Sequence, residues 1–190
     1  PIPKEYAPRI SEIEIPTDSH NIKVILHSAQ NPEYKADGPT PLLIHVHGGP
    51  TGHEFAVADL DFLYWTTRGF TIADINHGGS SGYGAKYRQL LYGNWGVLDY
   101  QDVLTTVKYL IESKVADPKR VFISGGSAGG FTVLNSIIHS DLFAAGADYY
   151  GVAELSALAT DTHDFESRYL DSMIGPYPEK ADLYKERSPL

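Results

Sequence analysis

The first thirty residues alternate between apolar and polar positions. Ile13 and Ile15 stand among polar neighbours, Thr17-Asp18-Ser19-His20-Asn21 is a turn cluster, and Ile22, Val24 and Leu26 alternate again. A period of two on both sides of a turn predicts a half-buried antiparallel strand pair. A Pro/Gly-rich loop follows from Asn31 to Pro41, and the pattern then changes. Leu42 to His47 is an apolar run too dense for one-sided burial, which predicts a strand covered on both faces. Leu60, Leu63, Tyr64 and Thr67 fall at helical spacing, stopped by Gly69. Phe70 to Ile75 reads as the next strand. Val103, Leu104, Val107, Leu110 and Ile111 form a helical stripe, entered through Asp99 and Asp102 and broken at Asp117-Pro118. Val121 to Ile123 is a short buried strand, Val133, Leu134, Ile137 and Ile138 share a helical face, and Ala144 to Tyr150 is a further strand. This alternation predicts an α/β domain over residues 1–190, with a mostly parallel sheet, helices on both faces and an antiparallel start.

Composition narrows the function classes. With 24 acidic against 15 basic residues the formal net charge is -9, and the basic residues are scattered. Nucleic-acid binding needs clustered Lys and Arg, so no nucleic-acid partner is expected. Absence of cysteine excludes disulfides, thiolate catalysis and Cys-ligated zinc, and fits a cytoplasmic location. No stretch approaches the roughly 20 apolar residues that span a bilayer, so no membrane partner is expected. The chain opens with Pro-Ile-Pro-Lys rather than Met. Such a start reads as a piece of a longer protein or as the result of removing a leader or tag.

The strongest chemical signal lies where the strand Val121–Ile123 runs into Ser124-Gly125-Gly126-Ser127-Ala128-Gly129-Gly130 ahead of a helical stripe. G-x-S-x-G between strand and helix is the nucleophile elbow of α/β-hydrolases, with Ser127 as the attacking residue. A turn sharp enough to present the serine leaves no room for side chains two residues away on either side, the places of Gly125 and Gly129. The bland reading is a glycine-rich turn with serine as a helix N-cap.

A second signal ends the first buried strand: His47-Gly48-Gly49-Pro50. Acyl transfer places negative charge on the carbonyl oxygen, and two N–H donors must be waiting for it. In this fold one belongs to the residue after the nucleophile, here Ala128, and the other to this loop, where Gly49 is the expected donor ahead of Gly48. His45 and His47 share a strand face and could reach one ion. No nearby carboxylate stands at ligand-like spacing to them on a regular element, so neither metal nor another cofactor is expected.

Together the blocks resemble the prolyl oligopeptidase family of serine peptidases, in its dipeptidyl aminopeptidase and acylaminoacyl-peptidase branch. The resemblance runs through His47 to Thr51, Asn76-His77-Gly78-Gly79-Ser80-Ser81-Gly82-Tyr83-Gly84, Tyr87-Arg88, Trp95-Gly96 and Gly125 to Phe131. It continues through Tyr149-Tyr150-Gly151-Val152, Asp161-Thr162-His163, Phe165 to Tyr169 and Glu186-Arg187-Ser188-Pro189. His77 stands where the family more often has an aromatic residue, and Phe131 where tyrosine is common. The resemblance implies peptide or acyl-peptide substrates, a pocket near Tyr149, Tyr150 and Val152, and an amino-terminal β-propeller that nothing here resembles. It places the triad Asp and His beyond Ser188-Pro189-Leu190, so the domain is expected to be incomplete at its C-terminus.

A serine hydroxyl needs a base. His139 is expected at the far end of the helix after Ser127, and His163 with Asp161 has a spacing too short to face the serine as a pair. Three readings follow: a serine peptidase whose base lies outside these residues, a carboxylesterase-type hydrolase with the same machinery, or a fragment inactive by itself. The remainder of a parent chain or a second copy of this one is the expected protein partner.

Overall fold

In the computed structural model, residues 3–161 and 168–190 are described. The predicted strand pair forms: β1 (Ile10–Pro16) and β2 (Asn21–His27) are antiparallel. Ile15 lies opposite Ile22 and Ile13 opposite Val24, so the apolar members of the alternation share a face. Thr17 closes the turn, its hydroxyl donating to the His20 carbonyl at 2.7 Å.

The chain then enters β3 (Thr40–Val46), α1 (Leu60–Thr66), β4 (Thr71–Asn76), the single turn α2 (Ala85–Arg88), α3 (Leu98–Glu112), β5 (Ala116–Gly126), α4 (Ala128–Ile138) and β6 (Ala145–Tyr149). Short helices α5 (Leu155–Asp161), α6 (Tyr169–Met173) and α7 (Ala181–Arg187) complete it. The six strands lie in the order β1-β2-β4-β3-β5-β6. Strands β4, β3, β5 and β6 are mutually parallel, and β2 joins β4 antiparallel. This is the α/β-hydrolase architecture read from the strand–helix alternation.

One sheet face carries the main core. Leu42, Ile44, Val46, Ala73, Ile75, Val121 and Ile123 meet Val103, Val107 and Leu110 of α3 and Val133 of α4. Each such side chain, fully buried, stabilises by roughly 1.5–3 kcal/mol. A second core gathers Trp95, Phe131, Leu155, Leu170, Met173 and Tyr184 around Ala128, at the start of α4. Among the described residues no helix is long and apolar enough to cross a membrane.

Four expectations need correction. First, β3 is not sealed on both faces: Leu42, Ile44 and Val46 are buried, while Leu43 and His45 are half-buried under the short α1. Second, the side of α1 turned inward carries Phe62, which packs on His27 and His45, and buried Thr66; Leu60 and Tyr64 are exposed. Third, α4 exposes Ile137 and Ile138 and buries Thr132 and Ser136, whose hydroxyls are satisfied by Asp99 and by the Thr132 carbonyl. Fourth, α3 ends at Glu112, five residues before Asp117-Pro118. That dipeptide instead opens an irregularity in β5, where Ala116 pairs with Thr40 and Val121 with Leu42. Asp117 stabilises it by accepting from Lys119 N at 2.9 Å and Arg120 Nε at 2.7 Å.

Candidate active site

Ser127 is the only residue between the end of β5 and the start of α4. Its backbone is left-handed, φ 56° and ψ -123°, a conformation that costs a non-glycine residue on the order of 1–3 kcal/mol. The surroundings hold it there. Its N–H donates to the Tyr149 carbonyl at 3.0 Å and its carbonyl accepts from Phe131 N at 3.1 Å. The flanking glycines are packed against β3. A Cβ on Gly125 would lie 2.8 Å from the Val46 carbonyl oxygen, and one on Gly129 would overlap that same atom. The serine itself is exposed, and among the described residues its hydroxyl has no hydrogen-bond partner.

Two N–H groups border it. Ala128 opens α4, and the first N–H groups of a helix have no intrahelical acceptor and sit at its positive end. Across the gap lies Gly48, where a Cβ would stand 3.5 Å from Ser127 Cβ and 4.0 Å from its Oγ. The Gly48 carbonyl is tied back by Gly52 N at 3.2 Å and His47 Nδ1 at 2.8 Å. In a trans peptide the carbonyl and the following N–H point in opposite directions. The Gly49 N–H therefore points away from that anchor, and among the described residues it has no partner.

His47 sets this direction. A carbonyl only accepts, so Nδ1 carries the hydrogen and Nε2 receives the Ser80 hydroxyl at 2.7 Å. The ring is 4% exposed and stacks on His77 at 4.9 Å. Burial, reinforced by the neighbouring His77, holds its pKa down to about 3, so it stays neutral. The loop carrying Ser80 buttresses the glycine loop twice more: Ser81 N donates to Gly52 O at 2.9 Å and Ser81 Oγ to Thr51 O at 2.7 Å. Asp102 of α3 anchors this second loop, accepting from Gly78 N at 2.7 Å and His20 Nε2 at 2.9 Å. Sequence reasoning missed Ser80, Ser81 and Asp102 as supports. The signal was the long Asn76–Gly84 block, whose serine hydroxyls find their partners in the glycine loop about thirty positions earlier.

The three pocket residues separate. Tyr150, with φ 47° and 86% exposed, leans on the turn: a Cβ on Gly126 would meet its ring at 3.2 Å. Tyr149 gives Ser127 only its carbonyl, its side chain being 57% exposed at the sheet edge. Val152 is half-buried against the second core. His139 caps the far end of α4 through Asn135 O, about 18 Å from Ser127 at 1.5 Å rise per residue. His163, Thr162 and Phe165 to Ser167 lie outside the described residues.

One premise of the metal reading changes, that no carboxylate stands beside the two histidines. His47 has both nitrogens engaged and shares no ligand with His45. His45 instead has two carboxylates beside it. Asp74, its register partner across β3 and β4, is bonded to it at 2.8 Å, and the ligand atoms of His45, Glu54 and Asp74 lie within 4.8 Å of one another. Cross-strand neighbours do not show in linear spacing.

Comparison with known proteins gives the chain a family. The sequence profile of the prolyl oligopeptidase family matches residues 55–190. Dipeptidyl aminopeptidase BIII of Pseudoxanthomonas mexicana is 29% identical over 84% of this chain, which spans 24% of that protein. The acylamino-acid-releasing enzyme of Arabidopsis thaliana is 33% identical over 79% of the chain and is covered over 21% of its own length. Among solved structures, a puromycin-hydrolysing peptidase of Mycobacterium tuberculosis superposes with a TM-score of 0.95 at 39% identity, over 99% of this chain and 29% of its own. A puromycin hydrolase does so with a TM-score of 0.95 at 40% identity, over 100% and 29%. The chain thus spans between a fifth and a third of these relatives' lengths.

Proposed function

The chain belongs to the prolyl oligopeptidase family, and from that membership we propose that it supplies the nucleophile and oxyanion site of a serine peptidase cleaving peptide or acyl-amino bonds. The observation that carries this reading is the left-handed Ser127, exposed between a buried strand and a helix N-terminus with Gly48 packed beside it. In the reaction Ser127 Oγ bonds to the substrate carbonyl carbon and its proton passes to a base. The N–H groups of Gly49 and Ala128 hold the resulting oxyanion. Collapse breaks the C–N bond and releases the amine, and water then hydrolyses the acyl-enzyme. Tyr150, leaning over the turn, forms the wall of the acyl-side pocket, with Tyr149 and Val152 at its margin.

The base and its orienting carboxylate come from chain outside these 190 residues, as the family resemblance implies. The 190 residues alone are then inactive, and the parent protein is active. Puromycin, which two structural neighbours hydrolyse by name, is a suitable amide for the test. The parent should release its aminoacyl group, while the isolated chain and the parent's Ser127→Ala variant should not, the variant losing about 10⁶ in kcat. Turnover by the isolated chain at the parent's rate overturns the placement of the base, and an active Ser127→Ala overturns the nucleophile. Cleavage of matched esters but of no amide favours a carboxylesterase.

A further inference from the structure

On the sheet face away from the main core, α1 and the preceding loop roof a cavity of about 280 Å³. We propose that this cavity binds one divalent cation of the Zn²⁺/Mn²⁺ class, through His45, Glu54 and Asp74.

The donors come from three places that the fold fixes independently. His45 on β3 and Asp74 on β4 are register partners. Glu54 is pinned between them and solvent by the last side chain of β4: its N–H donates to Asn76 Oδ1 at 2.8 Å, and Asn76 Nδ2 donates to its carbonyl at 3.0 Å. Its carboxylate is left to face the cavity. The three ligand atoms lie within 4.8 Å of one another. A tetrahedron with bonds of about 2.0–2.1 Å has an edge of roughly 3.4 Å, so on binding the 2.8 Å pair of His45 and Asp74 spreads and Glu54 adjusts about its side-chain torsions.

Charge balance points to a cation. Asp59 and Asp61 also line the cavity, and among the described residues no Lys or Arg does. Asp74 is 1% exposed, yet among the described residues its sole hydrogen bond is to His45, a member of the donor set. Among the described residues no backbone N–H, hydroxyl or guanidinium reaches this buried carboxylate, although buried charges are ordinarily paired and multiply hydrogen-bonded or bound to metal. On the same sheet face His27 is fully buried with neither ring nitrogen partnered among the described residues, so it offers no compensating charge by hydrogen bonding.

The donor chemistry selects the ion. One imidazole nitrogen with carboxylate oxygens and no thiolate suits Zn²⁺ or Mn²⁺, whereas Ca²⁺ and Mg²⁺ favour oxygen alone. On binding, a metal–nitrogen bond to His45 and metal–oxygen bonds to Asp74 and Glu54 form. The proton held between His45 and Asp74 is released to solvent, so affinity rises with pH.

The test does not depend on peptidase activity. Chelator-treated protein is dialysed to equilibrium against Zn²⁺ and, separately, Mn²⁺. The proposal expects saturable binding of about one equivalent of at least one ion, weakened about ten-fold or more in both His45→Asn and Glu54→Gln. Circular dichroism without metal should match the wild type for Glu54→Gln, a half-exposed position. If His45→Asn does not fold, Glu54→Gln decides by itself. Absence of saturable binding of either ion overturns the proposal, as does binding of wild-type affinity in a folded Glu54→Gln.

Discussion

His45 and His47 stand two residues apart at the end of the same strand and serve opposite ends. His47 is sealed in a pocket of backbone carbonyls, hydroxyls and another imidazole, and it stays neutral. His45 sits in a carboxylate-rich cavity. Burial there works against its charged form, but the hydrogen bond and charge of Asp74 outweigh it and raise its pKa. The difference is one of partners rather than of residue type. A neutral imidazole with two fixed hydrogen bonds makes a rigid strut, and the glycine loop beside Ser127 needs one. An imidazole that shares its proton with a carboxylate can give that proton up to a cation, as proposed for the His45 cavity. The His47 side is tied down by bonds from three segments, whereas the His45 side is covered by one helix of seven residues.

The comparison can be broken from either side. The largest effect is expected for His47→Ala in the active parent protein. Freed of its anchor, the Gly48–Gly49 peptide no longer presents its N–H, and loss of one oxyanion donor costs about 10²–10³ in kcat. Steady-state kinetics should show this with KM little changed; a loss confined to KM would assign His47 to substrate binding instead.

Ser80→Ala leaves the buried His47 Nε2 without its donor, which should cost roughly 1–3 kcal/mol of stability in urea unfolding. A matched Ser113→Ala, at the exposed C-terminal end of α3, should be nearly silent.

The two histidines should also give stability slopes of opposite sign with pH. Because the folded pKa of His47 is about 3 against 6.5 for an exposed histidine, the unfolded chain takes up its proton first as pH falls. Stability is therefore unaffected above 6.5 and falls by about 1.4 kcal/mol per unit between 6.5 and 3. His45, raised, contributes stability that is fully present below its unfolded pKa and is lost as pH rises through its folded one. Urea midpoints across pH 4 to 8 should show His47→Gln flattening the acid limb and His45→Gln removing the advantage at low pH. Equal slopes in the two variants would erase the distinction.

The smallest effect is expected at Glu54. With metal absent, Glu54→Gln relieves carboxylate repulsion and should raise stability at neutral pH by about 0.5 kcal/mol or less, read from the thermal midpoint.

Much of this architecture was legible along the chain because the signals are local. The Ile13–Leu26 alternation and the strand leading into Gly125–Gly129 need no knowledge of the partner. What was not legible depends on neighbours distant in sequence. The stripe Val133, Leu134, Ile137 and Ile138 picked out the apolar side of α4, but Asp99 reaches across from α3 to satisfy Thr132, so polar residues turn inward there. Asp117-Pro118 reads as a helix stop, and the turn had already come at Lys114, whose φ is 59°. Ser127 could be named from its motif, whereas the strut behind its oxyanion loop could not. The Ser80–His47 bond spans 33 positions, and His45 with Asp74 spans 29.

The central claim is that Ser127 is the nucleophile, and adduct mapping tests it most directly. The parent protein is treated with an alkyl fluorophosphonate while puromycin hydrolysis is followed, then digested and mapped by mass spectrometry. The account predicts a single phosphonyl group on Ser127, formed in step with loss of activity, and neither label nor turnover in Ser127→Ala. A label on another residue with Ser127 unmodified, or hydrolysis by Ser127→Ala at the wild-type rate, would contradict it.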